Sequence, residues 1–281
     1  MPGVVLLLAV LLLVAAAVHS LLGAMTHASV DGPERALAGE EPRVPDELLG
    51  EHSYAWIHQR LLDAYAAEPE GWATEQVRRI DARLQAAVPV GERLETVILW
   101  VPEANAFAMP GRHVYLSRRL LERMDDDQAA FVIAHEMAHH RLGHLAVVAD
   151  WLERLPGPAQ AFAVNLVIAR SHLLRGAERE THADAWGFNL CLAAGYDPYR
   201  CASAFDLLEM LSLDHGDNAG VFGPDAAIEA ELNSQPRWMV SLKTWRWERR
   251  RGYPSIRERK ARLVHAYEQA AAAHAGTAAG E

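Results

Sequence analysis

The sequence predicts a mainly α fold with a small β-sheet and a histidine-bearing helix at its centre. Three observations predict it. Apolar residues recur at helical spacing over residues 51–88, a short β-prone run lies at residues 96–101, and an apolar stretch at residues 131–134 runs directly into the histidine-bearing string that starts at His135. The chain has 281 residues, 51% of them apolar and 23% charged, enough for one well-filled catalytic domain or at most two small ones. No internal repeat is visible.

The first element is an unbroken apolar run of 15 residues from Val4 to Val18, extended past His19 and Ser20 by Leu21–Met25. A helix needs roughly 20 residues to cross a bilayer, and residues 2–25 supply them. Residues 1–25 are read as an uncleaved membrane anchor. The alternative is a cleaved signal segment, with small residues near Gly23–Ser29 as cleavage positions and a secreted product. Residues 26–50 hold Arg35 and Arg43 against six carboxylates, and they are rich in Gly and Pro. They read as a linker, and so few basic residues do not retain that side in the cytoplasm. The domain after the linker is therefore expected to be extracytoplasmic, on the periplasmic side of the inner membrane if the source is bacterial.

Residues 51–94 form a helical scaffold. Tyr54, Ile57, Leu61, Leu62 and Tyr65 share one face of a helix over 51–67, and Val77, Ile80, Leu84 and Val88 share one face of a second over 72–88, stopped by Pro89 and Gly91. Thr96–Val101 is a strand ended by Pro102, Asn105–Pro110 is a turn-rich segment, and His113–Leu116 returns as another strand. Leu120–Met124 begins a helical stretch. Asp125–Asp127 offer N-caps for a helix running from Gln128 to Trp151. Pro156-Gly-Pro158 interrupts the chain, and residues 159–169 are too short to span a membrane. Helical patterns follow over 171–194, 200–213 and 226–232, with a loop at Asp214–Asp225. Residues 255–270 form a basic helix, and the chain closes on a tail at 266–281, expected to be disordered.

The formal net charge is -10, from 27 Lys and Arg against 37 Asp and Glu, which excludes a broad nucleic-acid interface. Two cysteines, Cys191 and Cys201, make neither a metal cluster nor a disulfide framework, although their spacing permits one bridge. Trp238, Trp245 and Trp247, beside Arg246 and Arg249–Arg251, read either as a membrane-interface strip or as the edge of a packed core.

The string that carries chemistry is His135-Glu-Met-Ala-His139. Residues four apart on a helix lie on the same face, so both imidazoles reach a single ion, and Glu136 beside them reaches a water on it. Among 14 histidines such a spacing also arises by chance, and a surface helix carries it without a metal. A catalytic zinc site takes three protein ligands and leaves a position for water. A third histidine six residues past the second would stand at 145. The chain has Leu145 there and His144 one residue out of register. The string 178–184 offers replacements. Glu180 and Asp184 share a helix face, with Glu180 as ligand and Asp184 accepting a hydrogen bond from a ligating imidazole. Glu178 and His182 compete for the ligand role.

Three segments together carry a family likeness. They are Asn105–Gly111 with His113–Leu116, then His135–His144, then Glu180–Asp184 followed by Gly187 and Ala194–Pro198. Over about residues 95–265 the chain resembles the M48 metallopeptidases, the group that includes membrane-linked CAAX-prenyl and heat-shock type proteases. The resemblance implies a zincin-like metallopeptidase core at 95–265 and a zinc metalloendopeptidase activity. It implies Zn2+ held by His135, His139 and Glu180, Glu136 as general base and Asp184 as a buttress. Asn105 and Ala106 would lie on an edge strand that holds a polypeptide substrate, and the family's habits point to unfolded or misassembled protein. The family often carries His-Pro and then Arg near its C-terminal end. Here Pro254 and Arg259 match while Tyr253 replaces the histidine, either donating a phenolic hydrogen bond or only packing. His182, His215 and Tyr253 are the candidate oxyanion donors. The rival functions are a zinc hydrolase of a non-protein amide and an inactive binding or scaffolding module on the same fold.

Overall fold

A computed structural model of the chain describes residues 51–101, 104–155, 160, 177–214 and 255–278. Helix α1 (Glu51–Ala64) and helix α2 (Trp72–Ala86) precede a three-stranded sheet of β1 (Glu95–Leu99), β2 (Ala106–Met109) and β3 (His113–Ser117). A short helix α3 (Arg118–Leu121) leads to α4 (Asp126–Arg141) and α5 (Ala146–Glu153). Three longer helices complete the described fold: α6 (Ala177–Ala193), α7 (Pro198–Asp214) and α8 (Ile256–Ala278). The mainly helical architecture with one small sheet is the one the sequence predicts.

The sheet order is β1-β3-β2, with β3 parallel to β1 and antiparallel to β2. Side chains alternate between its faces, as the two-residue period of a strand requires. Ile98, Ala106, Val114 and Leu116 enter the main core with α2 and α4, while Val97, Leu99, Phe107, Met109 and Tyr115 pack with Tyr54, Ile57 and Leu61 of α1 and with α5. The expected turn at 105–110 is instead the edge strand β2. Its turn follows at Pro110–Arg112, where Gly111 and Arg112 both take positive φ, 110° and 67°.

Helix α4 is the axle. Every residue from Ala129 to His140 is buried, so it has no solvent face, and the polar groups among those twelve residues must be satisfied inside the protein. Its start is fixed by a capping box: the Asp125 side chain accepts from Gln128 N–H at 3.0 Å, and the Gln128 side chain accepts from Asp125 N–H at 3.1 Å. The predicted continuous helix from 128 to 151 breaks at Leu142–Leu145. Gly143 adopts φ 68°, and the N–H groups of Gly143 and His144 close back on the carbonyls of His140 and His139. This is the left-handed glycine turn that satisfies the last carbonyls of a helix.

Helix α6 lies closest to α4. At their crossing Gly187 has no side chain to separate them, and a Cβ there would stand 2.8 Å from the backbone nitrogen of His135. Helix α7 packs on α4 and α8, and α8 also touches α6. Helix α8 continues to Ala278, through most of the stretch expected to be a disordered tail. Cys191 and Cys201 are both buried free thiols, so the permitted bridge is not made. Among the described residues no helix is long and apolar enough to cross a membrane. Residues 1–50 and the segment holding Trp238–Arg251 lie outside the described residues.

Candidate metal centre

One turn of α4 separates His135 from His139, and their Nε2 atoms stand 3.1 Å apart. Helix α6 brings the Glu180 carboxylate to both: Oε2 is 3.5 Å from His135 Nε2, and Oε1 is 3.4 Å from His139 Nε2. Four donors arranged tetrahedrally about zinc at about 2.0–2.1 Å lie about 3.3–3.4 Å from one another. The triangle therefore has the size that a zinc ion requires, and its donor set of two imidazoles and a carboxylate suits zinc. Glu136, fully buried, offers its carboxylate beside the two rings, within a cluster of ligand atoms no more than 4.8 Å apart.

Asp184, one turn after Glu180, places Oδ1 3.0 Å from His135 Nδ1. Asp184 in turn accepts from Arg259 of α8, Nε to Oδ2 at 2.6 Å and Nη2 to Oδ1 at 2.6 Å, and the same Nη2 reaches Glu180 Oε2 at 3.1 Å. This forked guanidinium is 2% exposed, which makes it the largest fully buried side chain described. It lies over the Phe205 ring of α7 at 5.3 Å. Three helices thus converge on two carboxylates.

The electrostatics follow from burial set against charge. Burial opposes a charged His135, but the contacts with Asp184 and Glu180 win and raise its pKa to about 9. Burial likewise opposes ionised Glu180, yet His135, His139 and Arg259 hold its carboxyl well below the usual range. Burial pushes His144 down to about 3 and His140 down to about 4. His140 points away from the triangle, with Nε2 donating to the His113 carbonyl at 2.9 Å.

Of the competing residues, Glu178 is exposed. His182 is buried, and its Nε2 has no hydrogen-bond partner among the described residues. Asn105 N–H donates to Ser117 Oγ at 2.9 Å, and Ala106 begins β2, which pairs only with β3 among the described strands. His215 and Tyr253 lie outside the described residues. Two residues at the centre had no role assigned from sequence, Arg259 and His144. Arg259 is one of several arginines on a basic helix, distinguished beforehand only by its place in the family-like Pro-to-Arg spacing. His144 is marked in the sequence as the trailing histidine of the family-like segment His135–His144, one residue out of register for a third ligand.

Residues 71–177 match the model of Peptidase family M48. The match takes in His135, Glu136 and His139 and stops short of Glu180. The chain is also similar to Protease HtpX of Serratia proteamaculans (strain 568) and of Yersinia pestis (strain Pestoides F). Each is 35% identical over 85 residues, 29% of this chain and 27% of the relative. The aligned stretch thus spans about a quarter of the length of these curated relatives.

Proposed function

We propose that this chain, which carries a peptidase family M48 segment at residues 71–177, is a zinc-dependent endopeptidase with His135, His139 and Glu180 as the metal ligands. The observation that carries the reading is the buried donor triangle, with sides of 3.1, 3.4 and 3.5 Å, assembled from two helices. Bound there, zinc supplies a Lewis acid that polarises a scissile carbonyl and lowers the pKa of a water toward about 7.

The chain's own residues do the rest. Glu136, beside the ligand rings, accepts a proton from the attacking water and delivers it to the leaving amine. Asp184 accepts the His135 Nδ1–H, which fixes that ring with its Nε2 lone pair toward the ion. Arg259 holds Asp184 and Glu180 in register with each other. His182 is the candidate donor to the developing oxyanion that lies within the described residues, with its buried Nε2 available. The outer edge of β2, starting at Asn105 and Ala106, takes an extended polypeptide by backbone hydrogen bonds, so unfolded or misassembled chains are the substrate class. Residues 1–25 tether the enzyme to a membrane, with the catalytic domain on its extracytoplasmic side.

The test is Glu136→Gln in the full chain, assayed on unstructured polypeptides. Zinc stoichiometry and melting temperature should match the parent while turnover falls by at least about 100-fold, the range general acid–base catalysis supplies. Parental turnover would remove Glu136 from the mechanism.

A further inference from the structure

His144 has no part in the chemistry proposed above, yet the fold spends a helix ending on it. On a continuing helix, residue 144 would lie about 140° around the axis from His139, off the metal-facing side. Helix α4 stops instead. Gly143 at φ 68° reverses the chain, and His144 N–H donates to the His139 carbonyl at 3.0 Å. The turn lays the buried His144 ring edge-on against His139, with centroids 5.0 Å apart and planes at 62°. The two Nδ1 atoms meet at 2.9 Å.

A hydrogen bond between two ring nitrogens needs one N–H and one lone pair. His139 Nε2 is the nitrogen that faces His135 Nε2 and Glu180. An imidazole ligating through Nε2 carries its proton on Nδ1. His139 is then the donor, and His144 Nδ1 must be the bare acceptor, with its own proton on Nε2. That Nε2 is buried and has no hydrogen-bond partner among the described residues.

We infer that His144 is the positioning residue for His139, doing with a neutral ring what Asp184 does for His135 with a carboxylate. The inference rests on the reading that His135, His139 and Glu180 hold the ion. It accounts for the unequal pair of supports. Among the described residues the centre already buries the carboxylates of Glu136, Glu180 and Asp184, with the Arg259 guanidinium bonded to the last two. A neutral acceptor orients the second ring without adding another negative charge to desolvate. It also gives a reason for the histidine that is out of register for a third ligand: the residue belongs behind the second ligand, not on the ion.

The experiment uses the full chain loaded with zinc. Nitrogen-15 NMR of its histidines should show His144 as the Nε2–H tautomer with an unprotonated Nδ1, and finding the proton on Nδ1 would overturn the inference. Zinc affinity, measured by chelator competition, should weaken about 10–100-fold in His144→Ala, the usual loss for an outer support of a ligand. His144→Asn places an amide oxygen where Nδ1 stood and should recover most of that loss. Parental affinity in His144→Ala, or no recovery in His144→Asn, contradicts the inference. Should His144→Ala fail to fold, the tautomer in the parent protein decides. A parent chain that binds no zinc instead defeats the metal reading itself, and the two failures are distinct.

Discussion

Replacing Arg259 by Ala tests whether α8 is part of the centre or only lies beside it. The guanidinium makes three charge-assisted hydrogen bonds, two of 2.6 Å and one of 3.1 Å, to side chains that are 1% and 3% exposed. Truncation leaves the buried Asp184 and Glu180 carboxylates without their guanidinium, beside the imidazoles of His135 and His139. Removing one partner of a buried ion pair costs roughly 3–5 kcal/mol. A large buried side chain is also deleted from against Phe205, which adds a cavity cost rather than offsetting it. Urea denaturation of the metal-free protein, followed by tryptophan fluorescence, should therefore show a loss of at least about 3 kcal/mol for Arg259→Ala. Arg259→Lys keeps the charge but lacks the planar fork that meets both Asp184 oxygens from two separate nitrogens, and its stability should fall between those of the parent and Arg259→Ala. A metal-free Arg259→Ala protein within about 0.5 kcal/mol of the parent, the range of ordinary surface substitutions, would refute the claim that the buried fork ties three helices together.

Two further perturbations probe the frame. Gly187→Ala would place a Cβ 2.8–2.9 Å from backbone atoms of Ala134 and His135, and backbone cannot rotate away. It should cost about 1–3 kcal/mol by overpacking and also weaken zinc binding. An unchanged melting temperature and affinity would mean the helices cross with more room than described. Asp81 accepts from Thr96 Oγ1 at 2.9 Å, and its pKa is raised from 3.8 to about 7 by burial, opposed by the Thr96 hydrogen bond and assisted by the Glu95 charge. Between those values the folded chain keeps a proton that the unfolded chain has released, so stability falls as pH rises from about 4 to about 7 and stays lower above it. Asp81→Asn should match the parent near pH 4 and exceed it by roughly 2–4 kcal/mol at pH 8. Equal stability of the two proteins at pH 8 would contradict that burial.

The parts of the fold that were legible in the sequence are those written in local periodicity. Ile57 and Leu61, or Val77, Ile80 and Leu84, announce one-sided helices, and the structure buries those sides. The His135–His139 spacing and the Glu180–Asp184 spacing were each readable alone, because a helix fixes what four residues apart means. What local pattern does not carry is a change of direction or a contact between distant segments. Gly143 falls inside the helix predicted over 128–151, and the left-handed turn it adopts ends α4 there. The composition of residues 105–110 reads as a turn, and only the family likeness points to an edge strand there; pairing with β3 decides the matter. At the alanine-rich end the expected disordered tail is instead the continuation of α8 to Ala278, which alanine's intrinsic helix preference favours. Arg259 meets Asp184 across a separation of 75 residues, and only the family-like spacing from Pro254 sets it apart in the sequence from the neighbouring basic side chains on α8.

The whole account stands on Glu180 joining the two histidines of α4 around one ion. Zinc content and X-ray absorption of the purified full chain, set against Glu180→Ala, measure this most directly. The parent should hold one zinc per chain with two imidazole nitrogens and a carboxylate oxygen at about 2.0–2.2 Å, and Glu180→Ala should lose the oxygen and most of the metal. A Glu180→Ala protein that keeps one zinc in an unaltered shell would contradict it.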